Sequence, residues 1–305
     1  MIYRRIEELL EAAKGRQAGR IAIAAAHDED ALKAAAAAAD AGIAAPILVG
    51  DENKISEILR GIGRDPEEFP IVAAAGPEAC AAAAVHLVRE GRADFLMKGL
   101  LGTADLLRAV LDKDSTLRTG RLLSHVMLYE NPTYPKILAL TDGGMNTFPD
   151  LARKADILEN AAILLRGLGY DSMIAACVCG AEIVDPKIQA TLDAAALRDM
   201  KERWAPYAMK VLGPVGLDLA ISAEACRHKN FKEEGGGRAD ILLAPTYEVG
   251  NGIGKAMSYF GGAKSAGIVV GARVPIVLVS RSDDAHTKLA SIALGALAAR
   301  KGAEE

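Results

Sequence analysis

The sequence feature that most constrains the fold is a regular alternation of short, continuously apolar segments with helical stretches, from residue 20 to residue 300. Strands that lack a polar face must be covered on both sides, as happens when helices connect parallel strands. We therefore predict an α/β fold with mostly parallel sheets and helices on both faces. The predicted strands are residues 20–26, 46–50, 69–75, 93–98, 137–140, 173–178, 208–212, 241–243, 268–270 and 276–279.

Length and charge limit the class of protein. At 305 residues the chain is longer than one core usually organises, so we expect two domains. It has 36 Lys and Arg against 40 Asp and Glu, a net charge of −4. Nucleic-acid-binding proteins usually carry a basic excess or stripe, and neither is present. We expect no nucleic-acid partner, although a local basic pocket for a small anion is compatible with this total.

The sequence also predicts where the protein resides. No apolar run reaches the roughly 20 residues that span a bilayer, and residues 1–8 form a charged amphipathic segment rather than a signal peptide. The four cysteines are scattered, and Cys177-Val178-Cys179 lacks the spacing of a CxxC motif. We expect a cytoplasmic protein with buried free thiols, no membrane partner and no metal site.

The segment 279–288 follows the last predicted strand and opens a helix. Open α/β sheets bind ligands at the carboxyl ends of strands, and a helix N-terminus suits phosphate. Arg281 adds a planar cationic fork. Ser280 is placed to bond a thiol or a carbonyl, and Asp283 or His286 to accept a thiol proton. Asp283 is also a good helix N-cap, and His286 has the position of a surface residue. For these two residues a catalytic role and a purely structural role therefore both stay open.

A second segment follows the fourth predicted strand. Lys98 ends that strand, where a buried cation is costly unless it meets an anion, and Gly99 lets the backbone approach a ligand closely. Thr103 has the position of an N-cap for the helix that carries Arg108. The spacing is not that of a Walker A loop. We predict that these four residues bind an anionic substrate; the alternative is a lysine that extends from the sheet edge to solvent.

A third group lies further along the chain. Ser124 and His125 fall on another predicted strand, and Asp142 and Asn146 lie in the Gly-Gly loop after the next one. The glycines and the Asn146 amide suit a tight loop that faces a ligand. We assign all four residues to substrate binding. A Ser-His-Asp hydrolase triad is the alternative, but the G-x-S-x-G elbow is missing.

Asn251 and Lys255 follow the predicted strand at 241–243, within a run of alternating glycines at 250–254. The spacing G-x-G-x-G differs from the dinucleotide-binding G-x-G-x-x-G, and no first-strand context accompanies it. An amide and a lysine at the start of a helix suit an anion or a carbonyl. We therefore add both residues to the predicted substrate site.

An ordered series of short motifs extends from about Leu96 to the last helix. The motifs are Met97-Lys98-Gly99, Leu123-Ser124-His125-Val126, Asn160-Ala161, Asp185-Pro186-Lys187, Gly213-Pro214 with Asp218, Ala239 to Leu243, Gly250-Asn251, Ala266 to Gly271 and Ser280-Arg281. This series resembles the phosphate acetyltransferase and phosphate butyryltransferase family, and its butyryl branch in particular. In the first strands the similarity is weaker.

The resemblance implies a two-domain α/β fold shared with the isocitrate and isopropylmalate dehydrogenases. It implies one domain of residues 1–118 completed by residues 272–305, a second of residues 119–271, and an active site in the cleft between them. The implied reaction moves a short acyl group, with butyryl favoured, reversibly between coenzyme A (CoA) and inorganic phosphate. No metal or cofactor beyond these substrates is implied. Members of the family usually form homo-oligomers, so the resemblance implies a dimer or a larger assembly.

The resemblance also assigns roles to individual residues. It places Ser280 near the CoA sulfur. It assigns Arg281 to binding phosphate and to stabilising the negative charge that develops in the transition state. Arg108 matches a phosphate-binding arginine of the acetyl branch.

Two positions depart from that branch. Its proposed base is an aspartate in the first turn of the last helix, where this chain has Thr287. Asp283 or His286 would then have to replace it. Another arginine of the acetyl branch lies just before a Phe-Gly pair, and here Tyr259 stands in that place. This loss points away from an acetyl-only enzyme.

Other interpretations stay open at the level of sequence. They include a phosphate acetyltransferase and a long-chain phosphate acyltransferase that uses acyl carrier protein. A dehydrogenase of this fold would need metal-binding aspartates, and Asp142, Asp185 and Asp218 are too scattered to form such a set. The non-enzyme interpretation is a CoA-binding domain with altered catalysis, which the changed base position supports.

Overall fold

The computed structural model describes residues 2–14, 19–280 and 283–301, so the predicted catalytic Arg281 lies outside the described residues. In the described residues the strands are β1 (Gly19–Ala24), β2 (Ala44–Gly50), β3 (Ile71–Ala73), β4 (Phe95–Lys98), β5 (Ser124–Glu130), β6 (Leu138–Thr141), β7 (Met173–Val178), β8 (Met209–Val215), β9 (Ile241–Leu243), β10 (Lys264–Val270) and β11 (Ile276–Val277). Each strand predicted from an apolar segment is therefore confirmed, with ends that shift by a few residues.

The α-helices of the described residues are α1 (Ile6–Ala13), α2 (Glu29–Asp40), α3 (Glu52–Gly61), α4 (Pro77–Arg89), α5 (Thr103–Leu111), α6 (Leu151–Gly167), α7 (Gln189–Asp199), α8 (Lys201–Trp204), α9 (Leu217–Ile221), α10 (Ala223–His228), α11 (Tyr247–Tyr259) and α12 (Ala285–Lys301). Short 3₁₀ turns cover Pro66–Glu68, Lys113–Ser115 and Ala205–Tyr207. Among the described helices, none has the length and apolar character that a bilayer-spanning helix needs.

The chain divides into two compact units. We call Glu7–Arg121 together with Ala266–Glu305 the N-terminal unit, and Met1–Ile6 together with Leu122–Ser265 the central unit. The end of the chain thus returns to the unit that contains its first strands.

The N-terminal unit is built on the strand order β3-β2-β1-β4-β11-β10. The first five strands in this order are parallel, and β10 is antiparallel to β11. Helix α2 packs against α12, and α4 packs against α5. The buried face of α2 is largely alanine, and these short side chains allow close approach. On α12, a Cβ at Gly295 would lie 2.9 Å from the Val277 side chain, so glycine is needed where this helix crosses β11.

The central unit is built on the strand order β5-β6-β9-β7-β8. Strands β6, β9, β7 and β8 are parallel, whereas β5 is antiparallel to β6. A core of buried apolar side chains such as Leu140, Leu212 and Leu242 fills this unit. The prediction of mostly parallel α/β structure is confirmed, and the antiparallel strands β5 and β10 were not anticipated.

Several helix starts test the capping predictions. Asp28 caps α2 by accepting the Ala31 N–H at 2.7 Å. Thr103 is not an N-cap: α5 begins at Thr103 itself, and Gly102 occupies the cap without a side-chain bond. Asp283 does not cap α12 either, because that helix begins two residues later and Asp284 accepts the Thr287 N–H at 2.8 Å.

Candidate active site

Lys98 and Gly99 stand at the carboxyl end of β4, where Lys98 is in register with Ala24 of β1. The Lys98 side chain is 7% exposed, and its Nζ donates to the carbonyl oxygens of Gly99 at 3.2 Å and Leu101 at 3.4 Å. A buried cation at this edge, as predicted, is confirmed. The structural reason for a glycine at position 99 differs from the predicted one. A Cβ there would lie 2.3 Å from the Ala25 carbonyl oxygen, so the close approach is to backbone rather than to a ligand.

Thr103 and Arg108 follow on α5. Thr103 is half-buried in the first turn, whereas Arg108 is exposed. The Arg108 guanidinium donates to Asp105 at 3.2 Å and lies 3.8 Å from Glu78. Both are surface contacts, which contribute little to stability. The Arg108 guanidinium is therefore held by weak surface contacts.

Ser280 is exposed beyond the end of β11, and its main chain is held by Asp283. The Asp283 carboxylate accepts the Ser280 N–H at 2.8 Å, and the Ser280 carbonyl accepts the Asp283 N–H at 3.1 Å. This reciprocal pair explains why Asp284 caps the helix in place of Asp283. The Thr287 backbone N–H lowers the pKa of Asp284, so that carboxylate is charged at neutral pH. His286 is exposed on the first turn, the position of a surface residue.

Lys288 was not singled out from the sequence, yet it holds this segment in place. Its side chain is 4% exposed, and its Nζ donates to the Asp283 carbonyl oxygen at 2.5 Å. The same Nζ lies 3.8 Å from Asp28 and 4.0 Å from Asp30 at the start of α2. Helical periodicity offered little signal for Lys288, because the apolar residues of α12 are spread around the helix.

In the central unit, the Asp142 carboxylate accepts four hydrogen bonds. It is 2% exposed. Its Oδ1 accepts the N–H groups of Gly144 and Met145, both at 2.8 Å. Its Oδ2 accepts the His125 N–H at 3.1 Å and the Asn146 side-chain amide at 2.7 Å. A carboxylate committed to four internal donors anchors the loop, and this argues against the predicted contact with a substrate.

We expect Asp142→Asn to destabilise the protein by about 1–3 kcal/mol, because the new amide NH₂ would face donors and leave buried N–H groups unsatisfied. The free energy of unfolding, measured by urea titration, tests this. Asp150→Asn is the matched control. Asp150 is an exposed N-cap of α6 that accepts the Arg153 N–H at 2.9 Å, and asparagine caps equally well. Equal stability changes in the two variants would contradict the anchoring role.

Ser124 and His125 begin β5, so their side chains point to opposite faces of the sheet. Ser124 is 0% exposed, and its Oγ accepts from the Asn160 amide at 2.9 Å. Asp142 contacts the main chain of His125. These bonds are structural, and they argue against both a Ser-His-Asp triad and direct contact of Ser124 with a substrate. Asn160 was noted as a family marker, and its role in holding Ser124 emerges only in the structure.

The alternating glycines lie inside helix α11, so they do not form a dinucleotide loop. A Cβ at Gly250 would lie 2.8 Å from the Cα of Gly143, which shows that two backbones cross there. Asn251 donates to the Gly143 carbonyl at 3.3 Å and braces the same loop. Lys255 is exposed two turns into the helix rather than at its start, with Nζ 5.6 Å from the centroid of the Tyr259 ring. Its cation is therefore placed on the helix surface.

The cysteines and the potential metal ligands can be compared with the predictions for them. All four cysteines are free and buried, as predicted. Burial raises the pKa of Cys177 well above its usual range and that of Cys179 to about 11, so both thiols stay protonated near neutral pH. Within the described ranges, no group of three or more His, Cys, Asp or Glu residues is arranged to hold a metal ion.

Comparison with known proteins adds to this geometry. The family described as "Phosphate acetyl/butaryl transferase" matches residues 5–82 and 78–296. The chain is 42% identical to a phosphate butyryltransferase of Clostridium acetobutylicum, over 96% of this chain and 97% of that protein. It is 40% identical to a phosphate acetyltransferase of Rhizobium meliloti, over 98% and 95% respectively. Its structure is similar to that of a branched-chain phosphotransacylase from Enterococcus faecalis V583, with a TM-score of 0.81 and 31% identity over 92% of this chain and 98% of that one.

Proposed function

The chain belongs to the phosphate acetyl/butaryl transferase family, and from that premise we propose that butyryl is its favoured acyl group. The chain is an enzyme that transfers an acyl group reversibly between CoA and inorganic phosphate. The butyryl preference is supported by the 42% identity to a phosphate butyryltransferase and by Tyr259, which stands where the acetyl branch has an arginine. Acetyl is the second candidate, supported by the 40% identity to a phosphate acetyltransferase.

One structural observation best supports CoA and phosphate chemistry in the N-terminal unit. Lys98, which is buried, is the last residue of β4, and Ser280, which is exposed, lies three residues beyond the adjacent parallel strand β11. Met97 of β4 is in register with Val277 of β11, so both strands end at the same edge of the sheet. This is the edge at which open α/β sheets bind ligands.

The roles we propose follow from the reaction. A phosphate oxygen attacks the thioester carbonyl carbon, the C–S bond breaks, and the sulfur leaves as a thiolate. Lys98 and Arg281 offset the negative charge of phosphate and of the transition state, and Arg108 adds charge at the surface. Ser280 donates a hydrogen bond to the sulfur or to the carbonyl oxygen.

In the reverse direction the CoA thiol must lose its proton before its sulfur attacks the acyl phosphate. We propose Asp283 as the acceptor in preference to His286, because its carboxylate already contacts the Ser280 main chain. In the central unit, Asn146, Asn251 and Lys255 stay proposed substrate contacts. His125 and Asp142 shape their loop.

We also propose that the two units correspond to the domains predicted at residues 1–118 with 272–305 and at 119–271. A homo-oligomer is supported by what is usual in the family. The resemblance supports a two-domain fold like that of the isocitrate and isopropylmalate dehydrogenases. The only substrates proposed are acyl-CoA, phosphate and acyl phosphate.

We expect CoA release from butyryl-CoA to require inorganic phosphate and to be unaffected by EDTA. The released thiol can be followed with a chromogenic thiol reagent, with acetyl-CoA and propionyl-CoA in parallel. A butyryl kcat/KM above the acetyl value supports the preference. Release of CoA without phosphate, or its abolition by EDTA with recovery on addition of metal, would contradict the proposed reaction.

A further inference from the structure

The central unit contains an open cleft of about 490 Å³ that the proposed reaction does not use. Tyr134, Pro135 and Lys136 line it just before β6, and Arg238 lines it just before β9. Strands β6 and β9 are parallel neighbours, so the cleft lies at their amino ends. Asp142 and its loop follow the carboxyl end of β6, at the opposite edge. The cleft is therefore separate from the predicted substrate contacts of this unit, and its volume is in the range of small-molecule sites.

The lining of the cleft carries an unbalanced positive charge. Its charged residues are Arg4, Lys136 and Arg238, and no carboxylate is found among the described residues that line it. Arg238 is exposed, and in the part of the chain that the structure describes its guanidinium makes no hydrogen bond or ion pair. A cleft that gathers cations raises the local positive potential and therefore favours an anionic ligand.

Lys136 is held in place by two partners and keeps one donor in reserve. Its side chain is 15% exposed, and its Nζ donates to Asp240 and, at 2.8 Å, to the Arg238 carbonyl oxygen. Asp240 is itself occupied, because its Oδ2 accepts the Ile174 N–H at 2.8 Å. An ammonium group has three N–H donors, and among the described residues the third donor of Lys136 has no partner. Lys136 can therefore donate a hydrogen bond to a ligand in the cleft that it lines.

The turn that carries Arg238 is fixed before any ligand arrives. The Gly237 N–H donates to the Leu219 carbonyl oxygen at 2.7 Å, and the Ala239 N–H donates to that of Ala220 at 3.0 Å. Because its own carbonyl oxygen is also bonded, the backbone of Arg238 is anchored on both sides. A side chain on such a preorganised turn loses little further freedom when it binds a ligand.

The other side chains of the lining offer apolar surface. Ile2 is 49% exposed and Pro135 is exposed, so both present hydrocarbon to the solvent. The Tyr134 hydroxyl donates to the Ala239 carbonyl oxygen at 2.7 Å, which leaves its ring rather than its hydroxyl available to a ligand. An inorganic ion would leave this apolar surface in contact with water, whereas a short hydrocarbon chain would cover it.

We propose that this cleft is a second ligand site, which binds a small organic anion: a short hydrocarbon chain that ends in a phosphate or a carboxylate. The anionic group is bound by Lys136 and Arg238. The chain lies against Ile2, Tyr134 and Pro135. None of these residues has a role in the proposed reaction, so the site stands or falls independently of it.

The test removes the Arg238 guanidinium. Butyl phosphate is the phosphate probe and butyrate is the carboxylate probe, and calorimetry measures the Kd of each. The probe that binds more tightly identifies the anionic group, and we expect Arg238→Ala to weaken its binding about tenfold, the scale for one hydrogen bond to a charged group. Arg227→Ala is the matched control, because Arg227 is an exposed arginine of the same unit outside the cleft. It should bind the probe as the unmodified protein does.

Steady-state kinetics distinguish this site from the substrate site. In Arg238→Ala, kcat and the KM values for butyryl-CoA and phosphate should equal those of the unmodified enzyme. A raised KM for either substrate would place Arg238 in the substrate site and overturn the proposal. Equal Kd values in all three proteins, or no binding of either probe, would also overturn it.

Inorganic phosphate tests whether the hydrocarbon chain contributes to binding. Its Kd should be the same in Arg238→Ala and in the unmodified protein. An equal loss of affinity for inorganic phosphate and for the better probe would overturn the organic class of ligand. Probe binding that depends on Arg238 in a protein that does not turn over butyryl-CoA would support the site and contradict the proposed reaction.

Discussion

Replacing Arg281 by alanine should lower kcat/KM by about two to four orders of magnitude, the scale for losing one charge-stabilising group from a transition state. The residue lies outside the described part of the chain, and its proposed role comes from the family resemblance and from its place directly after Ser280 in the sequence. Arg281→Lys keeps the charge and loses the bidentate fork, so it should recover only part of the loss. Steady-state kinetics with butyryl-CoA and phosphate give the comparison.

Ser280→Ala provides a graded comparison, because it removes one hydrogen bond to sulfur or oxygen and should cost less activity than Arg281→Ala. If Arg281 were only a surface ion-pair partner, its loss would change stability by about 1 kcal/mol or less and leave turnover intact. Near-normal kinetics in a folded Arg281→Ala protein would therefore remove the main support for the assigned anion site.

Replacing Lys98 by methionine should lower kcat/KM by about two to three orders of magnitude while folding is maintained. Methionine has similar length and fills the same buried space, so the cost to folding should be limited to the lost hydrogen bonds to the Gly99 and Leu101 carbonyl oxygens, about 1–3 kcal/mol. The lost function is the positive charge at the carboxyl end of β4. We expect the loss to appear as weaker use of phosphate, measured as kcat/KM with phosphate as the varied substrate.

Lys154→Met is the matched control for a buried lysine with a structural role. Lys154 lies in the central unit and pairs with Asp193 at 2.6 Å, with both side chains buried. Its replacement leaves a buried carboxylate without its cation and should lower the free energy of unfolding by about 3–5 kcal/mol. If Lys98→Met instead lost stability to the same degree and kept its kcat/KM, Lys98 would be a structural lysine as well.

Three buried lysines, Lys98, Lys154 and Lys288, show why burial alone does not identify a site. Lys98 could be selected from sequence because it ends an apolar strand, where an isolated cation is unfavourable. Lys154 and Lys288 are equally buried, but each lies in a helix whose apolar residues are spread around its circumference, so the pattern around them is weak. Their partners, Asp193 and Asp283, become visible only when the helices are placed.

The central unit shows the same limit for Asp142. Its position after β6 indicated a ligand contact, but one of its four donors, the His125 N–H, comes from 17 residues away on an antiparallel strand. Nothing in the local sequence specifies that pairing. The contact between Gly250 and Gly143 joins residues more than a hundred positions apart. Because the sequence does not reveal this contact, the glycine run resembled a loop motif, although it is the packed face of a helix.

The order of strands and helices, the mostly parallel α/β class and the family could be predicted from the sequence alone. These depend on hydrophobic period and on interactions between residues one to four positions apart, which a linear pattern records. Only the tertiary structure decided that Asp142 and Ser124 serve the interior, that Lys288 ties the Ser280 segment to α2, and that a cleft opens beside Lys136. Each of these depends on which distant segments meet, and that is set by the packing of whole elements against one another.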